Sequence, residues 1–334
     1  MLLNLKFWRR GASLIAATFA CTFLASPAVA ADDFPNRTVE FIVPYAAGGP
    51  LDNVARMLAE KVKDDLGVIV VENRPGAGGN IGAGVAAKAK ADGHTLVMGA
   101  VAINAINPWL YERLPFDPIE SFEPVTLVAS VPNVLVLNPD FAAENNIESV
   151  EDLVEYGRNN PDTLNYASGG NGSAGHLAGE LLKVRTGIEA VHIPYAGAAP
   201  AKMALMAGDV HFMFDNLASA AGLLAADSVK ALAVTTSERS FMLPELPTMQ
   251  EAGVEPFDLG TWFGVLTTGG TPDAIVEKLN QAYVKALQDP EIREALSKMG
   301  SNAEPTTSEE FAQMIAAELE KYKEVVAISG AKAE

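Results

Sequence analysis

Residues 38–66 read TVEFIVPYAAGGPLDNVARMLAEKVKDDL. Thr38–Pro44 is rich in β-branched and aromatic residues and reads as a strand. From Asp52 the period changes. Val54, Leu58, Val62 and Leu66 recur at helical spacing, so Asp52–Leu66 is expected to be a helix with one apolar face. The turn between them is glycine-rich. The alternation continues with a strand at Val68–Val71, a helix at Asn80–Lys90 and a strand at Thr95–Gly99. Such a βαβαβ start implies a mostly parallel sheet flanked by helices.

A less regular stretch, Pro108–Pro124, precedes strands at Val125–Val128 and Val134–Leu137. A second series then begins. It reads as helix Val150–Arg158, strand Leu164–Ala167, helix Ser173–Thr186, strand Ala190–Ile193 and helix Ala198–Ala207. Strands at Val210–Phe214, Val229–Val234 and Leu259–Thr267 follow. Thr271-Pro272-Asp273 marks a helix start with Thr as cap, and Thr307 with Glu310 fits a capping box. The last helix should bury Phe311, Met314, Ile315, Leu319 and Tyr322. Two α/β lobes are expected, one from residues 31–130 and 235–334, the other from 131–234. Two crossing segments would form a hinge, with a cleft between the lobes that can close on a ligand.

The chain has 334 residues, 49% hydrophobic, with 42 acidic against 24 basic side chains and a formal charge of −18. That hydrophobic fraction excludes a disordered chain. The acidic balance excludes non-specific binding of nucleic acid or anionic lipid, which needs clustered cations. Residues 1–30 read as a secretory signal peptide: Lys6, Arg9 and Arg10, an apolar run over Gly11–Ala25, Pro27, then Ala28-Val29-Ala30 before the cut. Its removal takes the one cysteine, Cys21, and three positive charges, leaving 21 positive against 42 negative. The product would be a periplasmic monomer without disulfides.

Three glycine-rich loops lie between strands and helices: residues 44–52, 73–80 and 165–176. Strand-end loops of open α/β sheets bind ligands, and glycine lets backbone N–H groups approach an anion at a helix start. One such loop alone is more simply a turn, but three favour a carboxylate or phosphate site. The third holds Gly170-x-Gly172-x-x-Gly175, yet no acid ends the next strand, so nicotinamide binding is not expected. Ser173 and His176 could share a helix face as an exported hydrolase pair, although G-x-S-x-G is not met. The four histidines have no metal spacing, and no cofactor is expected. Asp215-Asn216, at a strand end, could face the cleft or cap the next helix.

The segments Val43–Arg56, Val71–Ala83, Ile106–Leu110, Asn165–Glu180, His192–Ala201, Met213–Leu217 and Ala231–Pro247 together resemble the Bug-type periplasmic solute-binding proteins of tripartite tricarboxylate transporters. The resemblance spans essentially the whole chain after residue 30. It implies a two-lobed type II periplasmic-binding fold that takes a small organic carboxylate, performs no catalysis and delivers its ligand to membrane permease subunits. A ligand-presenting receptor for a membrane sensor is the variant with the same fold. By the match, Tyr45, Ala47, Gly48 and Gly49 would hold a carboxylate from one side. Ala167, Ser168, Asn171 and Ser173 would face it from the other, with Asn80, Tyr195 and Asp215 as further candidates. Three positions depart from the family pattern. Leu51 stands where Ser or Thr is usual, Asn104 where His is, and Ala196 where Lys is. Each loses a polar or cationic group, so a less charged acid than citrate is expected. In calorimetry citrate should bind more weakly than a monocarboxylate; equal or tighter citrate binding would remove that expectation.

Overall fold

The structure is a computed structural model describing residues 34–195 and 197–332. The leader expected over residues 1–30, and Ala196, lie outside these. Among the described residues nine strands make the framework: β1 (Val39–Val43), β2 (Ile69–Asn73), β3 (Thr95–Ala100), β4 (Phe122–Leu137), β5 (Leu164–Ser168), β6 (Ala190–Pro194), β7 (Phe212–Asn216), β8 (Lys230–Val234) and β9 (Gly260–Thr268). The first lobe carries the order β2-β1-β3-β9-β4, the second β6-β5-β7-β4-β8. Both lobes therefore share one plan, in which a strand arriving from the other lobe lies fourth. The outer strands β2-β1-β3 and β6-β5-β7 pair in parallel, as their helical crossovers require, while β9 and β4 run antiparallel to their neighbours.

Strand β4 is sixteen residues long and serves both lobes. Phe122–Pro132 pairs with β9, and Asn133–Leu137 pairs with β7 and β8. The sequence reads as two strands here, Val125–Val128 and Val134–Leu137, with Pro124 before the first and Pro132 between them. Both prolines sit where a missing N–H is tolerated, Pro124 at a register shift and Pro132 where β4 changes partners. The chain returns through residues 235–259. The Thr235 N–H donates to Asn133 O at 2.9 Å, and the Asn133 N–H donates back to Thr235 Oγ1 at 3.2 Å.

The first helix covers Pro50–Lys61, followed by a separate turn at Lys63–Leu66, and the expected Val54, Leu58, Val62 and Leu66 are all buried. Thr271 does not cap its helix. Its hydroxyl donates to Thr268 O at 2.7 Å, and Pro272 takes the cap position. The Thr307–Glu310 capping box is present, and Ser308–Ser329 buries Phe311, Ile315 and Tyr322, with Met314 and Leu319 half-buried. This last helix packs on β4 and also on Ala174–Thr186 of the second lobe, so it straddles the joint.

Gly264 on β9 lies opposite Gly99 on β3, and Phe311 packs directly against it. A Cβ there would collide with the Phe311 ring and meet Thr126 O at 2.7 Å. Gly264→Ala should cost about 1–3 kcal/mol by overpacking. Urea denaturation checks this, and a loss below about 0.5 kcal/mol, the range of neutral surface changes, would contradict the packing.

Candidate functional site

The C-terminal ends of β1, β3 and β7, the midpoint of β4 and the start of β9 converge where the lobes meet. A cavity of about 300 Å³ lies there. Tyr45, Gly49–Asp52, Ala100–Ala102, Val131, Thr261, Trp262, Phe263 and Met299 line it from the first lobe, and Asn216 lines it from the second. It adjoins a wider cleft of about 930 Å³, sharing Pro50, Asn216 and Met299 with it. Across that cleft the first turn of Pro50–Lys61 faces Ala198, Ala218 and Ser219 of the second lobe.

Local chemistry decides which donors are free. The Asp52 carboxylate is buried. It accepts from the Gly48 N–H at 2.8 Å and Asn73 Nδ2 at 2.9 Å, and it pairs with Arg56 at 3.0 Å. Burial alone would push its pKa up, but the hydrogen bonds from Arg56, Gly48 and Asn73 outweigh this and hold it below the usual carboxylate range. The Gly48 amide, expected to meet a ligand, is therefore committed to bracing its own loop. Ala47 is exposed at the tip. Gly49 begins the helix with no side-chain cap, so the amides of Leu51 and Asp52 in the first turn lack intrahelical partners. Helix Ala198–Ala207 likewise starts at Gly197 with no side-chain cap. Tyr45 is half-buried and lines the cavity, and burial raises its hydroxyl pKa.

The second glycine loop is a turn. Gly76, Gly78 and Gly79 all have positive φ, and Asn107 Nδ2 bonds both Gly78 O, at 3.1 Å, and Asn80 Oδ1, at 2.7 Å. Asn80 thus faces a different depression, shared with Ile81, Val85 and Lys88, and is not brought into the cleft.

The third loop is held from below. Ser168 is fully buried. Its hydroxyl accepts from the Gly170 N–H at 3.1 Å and lies 2.6 Å from His192 Nε2, so it does not reach the cleft. The Gly172 N–H donates to His176 Nδ1 at 3.0 Å, and the His176 and His192 rings stack with centroids 3.9 Å apart. Ala167 is buried in the β5 ladder. Ser173 Oγ caps its helix by accepting from His176 N at 3.3 Å. Each partner of the suspected hydrolase pair is thus engaged with backbone. Gly172 abuts Leu110 of the first lobe, and Gly175 lies against Phe214 O, so the Gly-x-Gly-x-x-Gly spacing serves packing. Asn171 is exposed, and Tyr195 is half-buried with its N–H on Ser168 O. Gly169 lies against the Ala198 backbone, which joins this loop to the cleft wall.

Of the Asp215-Asn216 pair, Asn216 is the helix cap, accepting from the Ala218 N–H at 3.1 Å, and its Nδ2 donates to Thr261 at 2.9 Å. Asp215 is buried. Burial raises its pKa, although Lys202 Nζ stands 4.0 Å away and is tied to Ser219. Leu51 lines the cavity, whereas Asn104 is buried with its Oδ1 on Ala100 N, outside the cavity lining. Sequence reading missed Ala100–Ala102, Val131, Thr261, Trp262, Phe263 and Met299. The strand-end rule applied to β3 and β9 would have found most of them. Among the described residues no helix is long and apolar enough to cross a membrane, and no group of three or more His, Cys, Asp or Glu is placed to hold a metal.

A family profile described as "Tripartite tricarboxylate transporter family receptor" matches residues 54–330. A UPF0065 protein of a Pseudomonas species is 36% identical over 94% of this chain and 92% of its own. The BugT protein of Bordetella pertussis is 35% identical over 96% and 97%. An R. palustris protein solved with adipate has a TM-score of 0.78 at 36% identity, covering 90% of this chain and 99% of its own. MatC of Rhodopseudomonas palustris, solved with malate, has a TM-score of 0.75 at 34% identity, covering 88% and 100%.

Burial and the neighbouring His176 hold the His192 imidazole down to about 4, so it is neutral in the folded protein. Unfolded, it takes up a proton near pH 6.5. Stability should therefore fall as pH drops from about 6.5 towards 4. His192→Gln should reduce that slope in urea titrations at several pH values; an identical slope would contradict it.

Proposed function

Since the chain belongs to the tripartite tricarboxylate transporter receptor family, we propose that it captures a small organic carboxylate outside the cytoplasm and passes it to membrane permease subunits. One observation carries the ligand class. Two helix starts without side-chain caps, at Pro50 and Ala198, belong to opposite lobes and line one cleft. Each offers unpaired amides and the positive end of a helix dipole, and a carboxylate between them answers both. The adipate and malate of the two structural relatives belong to the same chemical class.

In this reading Tyr45, Ala47 and Gly49 bound the ligand from the first lobe. Asn171, Ser173 and Tyr195 border it from the second, reached through Gly169 and Ala198. Gly48, Ser168 and Asp215 set the shape of these walls. The moving units are residues 31–130 with 235–334, and residues 131–234, bending at the Asn133–Thr235 joint. Closure excludes water and replaces the hydration of the carboxylate with protein donors. The protein works as a monomer, exported by the leader in residues 1–30, and performs no covalent step.

A thermal-shift screen over organic acids tests this. An acid at a hundred times its Kd should add about 2.7 kcal/mol of stability and raise Tm by several degrees. A panel of mono-, di- and tricarboxylates that leaves Tm unmoved would overturn the proposal.

A further inference from the structure

The walls of the 300 Å³ cavity behind the first loop are hydrocarbon. Val131, Trp262 and Phe263 are almost fully buried at its floor, Ala100 closes one side, and Leu51 and Met299 stand half-buried at its entrance. An apolar cavity of about 150 Å³ is enough to take a benzene ring, so this one has room for a ring or a chain of several carbons. The amides of the first helical turn, Leu51 and Asp52, lie beside the same entrance. Donors for one acid group and a socket for hydrocarbon are thus adjacent.

We infer that the ligand is a monocarboxylate with a hydrocarbon tail, its acid group on the Gly49–Asp52 turn and its tail in the chamber walled by Leu51, Val131, Trp262, Phe263 and Met299. This rests on the carboxylate-receptor reading and narrows it. A di- or tricarboxylate with its first acid group on the turn would press another against Trp262 or Met299, and the Trp262 N–H is already given to Glu318 while the Met299 side chain has no donor for the charge. The two cations of the adjoining cleft are already paired, Arg56 with Asp52 and Asn73 and Lys298 with Glu294. The Thr261 hydroxyl already donates to Val131 O.

Calorimetry with propanoate, butanoate, hexanoate and adipate tests the assignment on the full-length exported protein. Affinity should climb about fourfold per added methylene from propanoate to hexanoate, and the binding heat-capacity change should grow more negative along the series. Adipate, of the same length as hexanoate, should bind more weakly. Met299→Gln, close in volume, should lower the hexanoate-to-propanoate affinity ratio severalfold. A flat series, adipate at least equal to hexanoate, or a ratio unmoved by Met299→Gln would overturn the chamber assignment while the receptor reading stands. Failure of every organic acid to bind would overturn the receptor reading, and the assignment with it.

Discussion

Everything in the molecule is referred to one strand that two sheets share. β4 runs unbroken from Phe122 to Leu137 and exchanges β9 for β7 and β8 between Pro132 and Asn133. At that point both of its edges must be hydrogen-bonded in a buried setting, because orphaned backbone groups are costly. Thr235, Leu259 and Thr261 meet the requirement. Leu259 N–H donates to Thr235 O, Asn133 Nδ2 reaches Leu259 O, and Thr261 bonds Val131 O. The same cluster holds Asn216, and with it the start of a second-lobe helix, against the first lobe. The joint therefore also places the back of the ligand cleft.

The protein's charge and its ligand class look opposed, and magnitude resolves the conflict. A strongly acidic surface repels an anion only through solvent that screens charge over about 8 Å. Hydrogen bonds to a charged group contribute roughly 1.5–3 kcal/mol each, so several amides at short range outweigh the diffuse field. The nearby side-chain cations are already committed, Arg56 to Asp52, Lys298 to Glu294 and Lys202 to Ser219. Loop order is maintained separately, by the Asp52–Asn73–Arg56 set under the first loop and the His176–His192 stack under the third. Buried polar networks of this kind rigidify when every member is satisfied, and a rigid rim loses less entropy on binding.

Periodicity revealed most of the helices and strands because it is a local property. Val54, Leu58, Val62 and Leu66 face the core as their spacing implies, and the Thr307–Glu310 box forms because its partners are three residues apart. Thr271 misled because the cap position falls one residue later, on Pro272, while its hydroxyl donates back to Thr268 O, and the two prolines of β4 misled because their tolerance depends on where a partner strand ends. The glycine loops were visible as loops, but not which of their amides remained free. Gly48, Gly170 and Gly172 each donate to a side chain: Asp52, Ser168 and His176.

By itself the sequence determined the α/β alternation, the two-lobed plan, the caps of several helices and the glycine loops at the strand ends. All depend on neighbours a few residues apart or on a pattern spread along the chain. Tertiary structure alone decided that the second loop turns away with Asn80, that Ser168 serves its own loop, and that a hydrocarbon chamber opens behind Gly49. Leu51, Val131, Trp262 and Met299 come together only through the crossing of β4 and the pairing of β9. A cavity belongs to residues distant in the chain, and no local spacing encodes it.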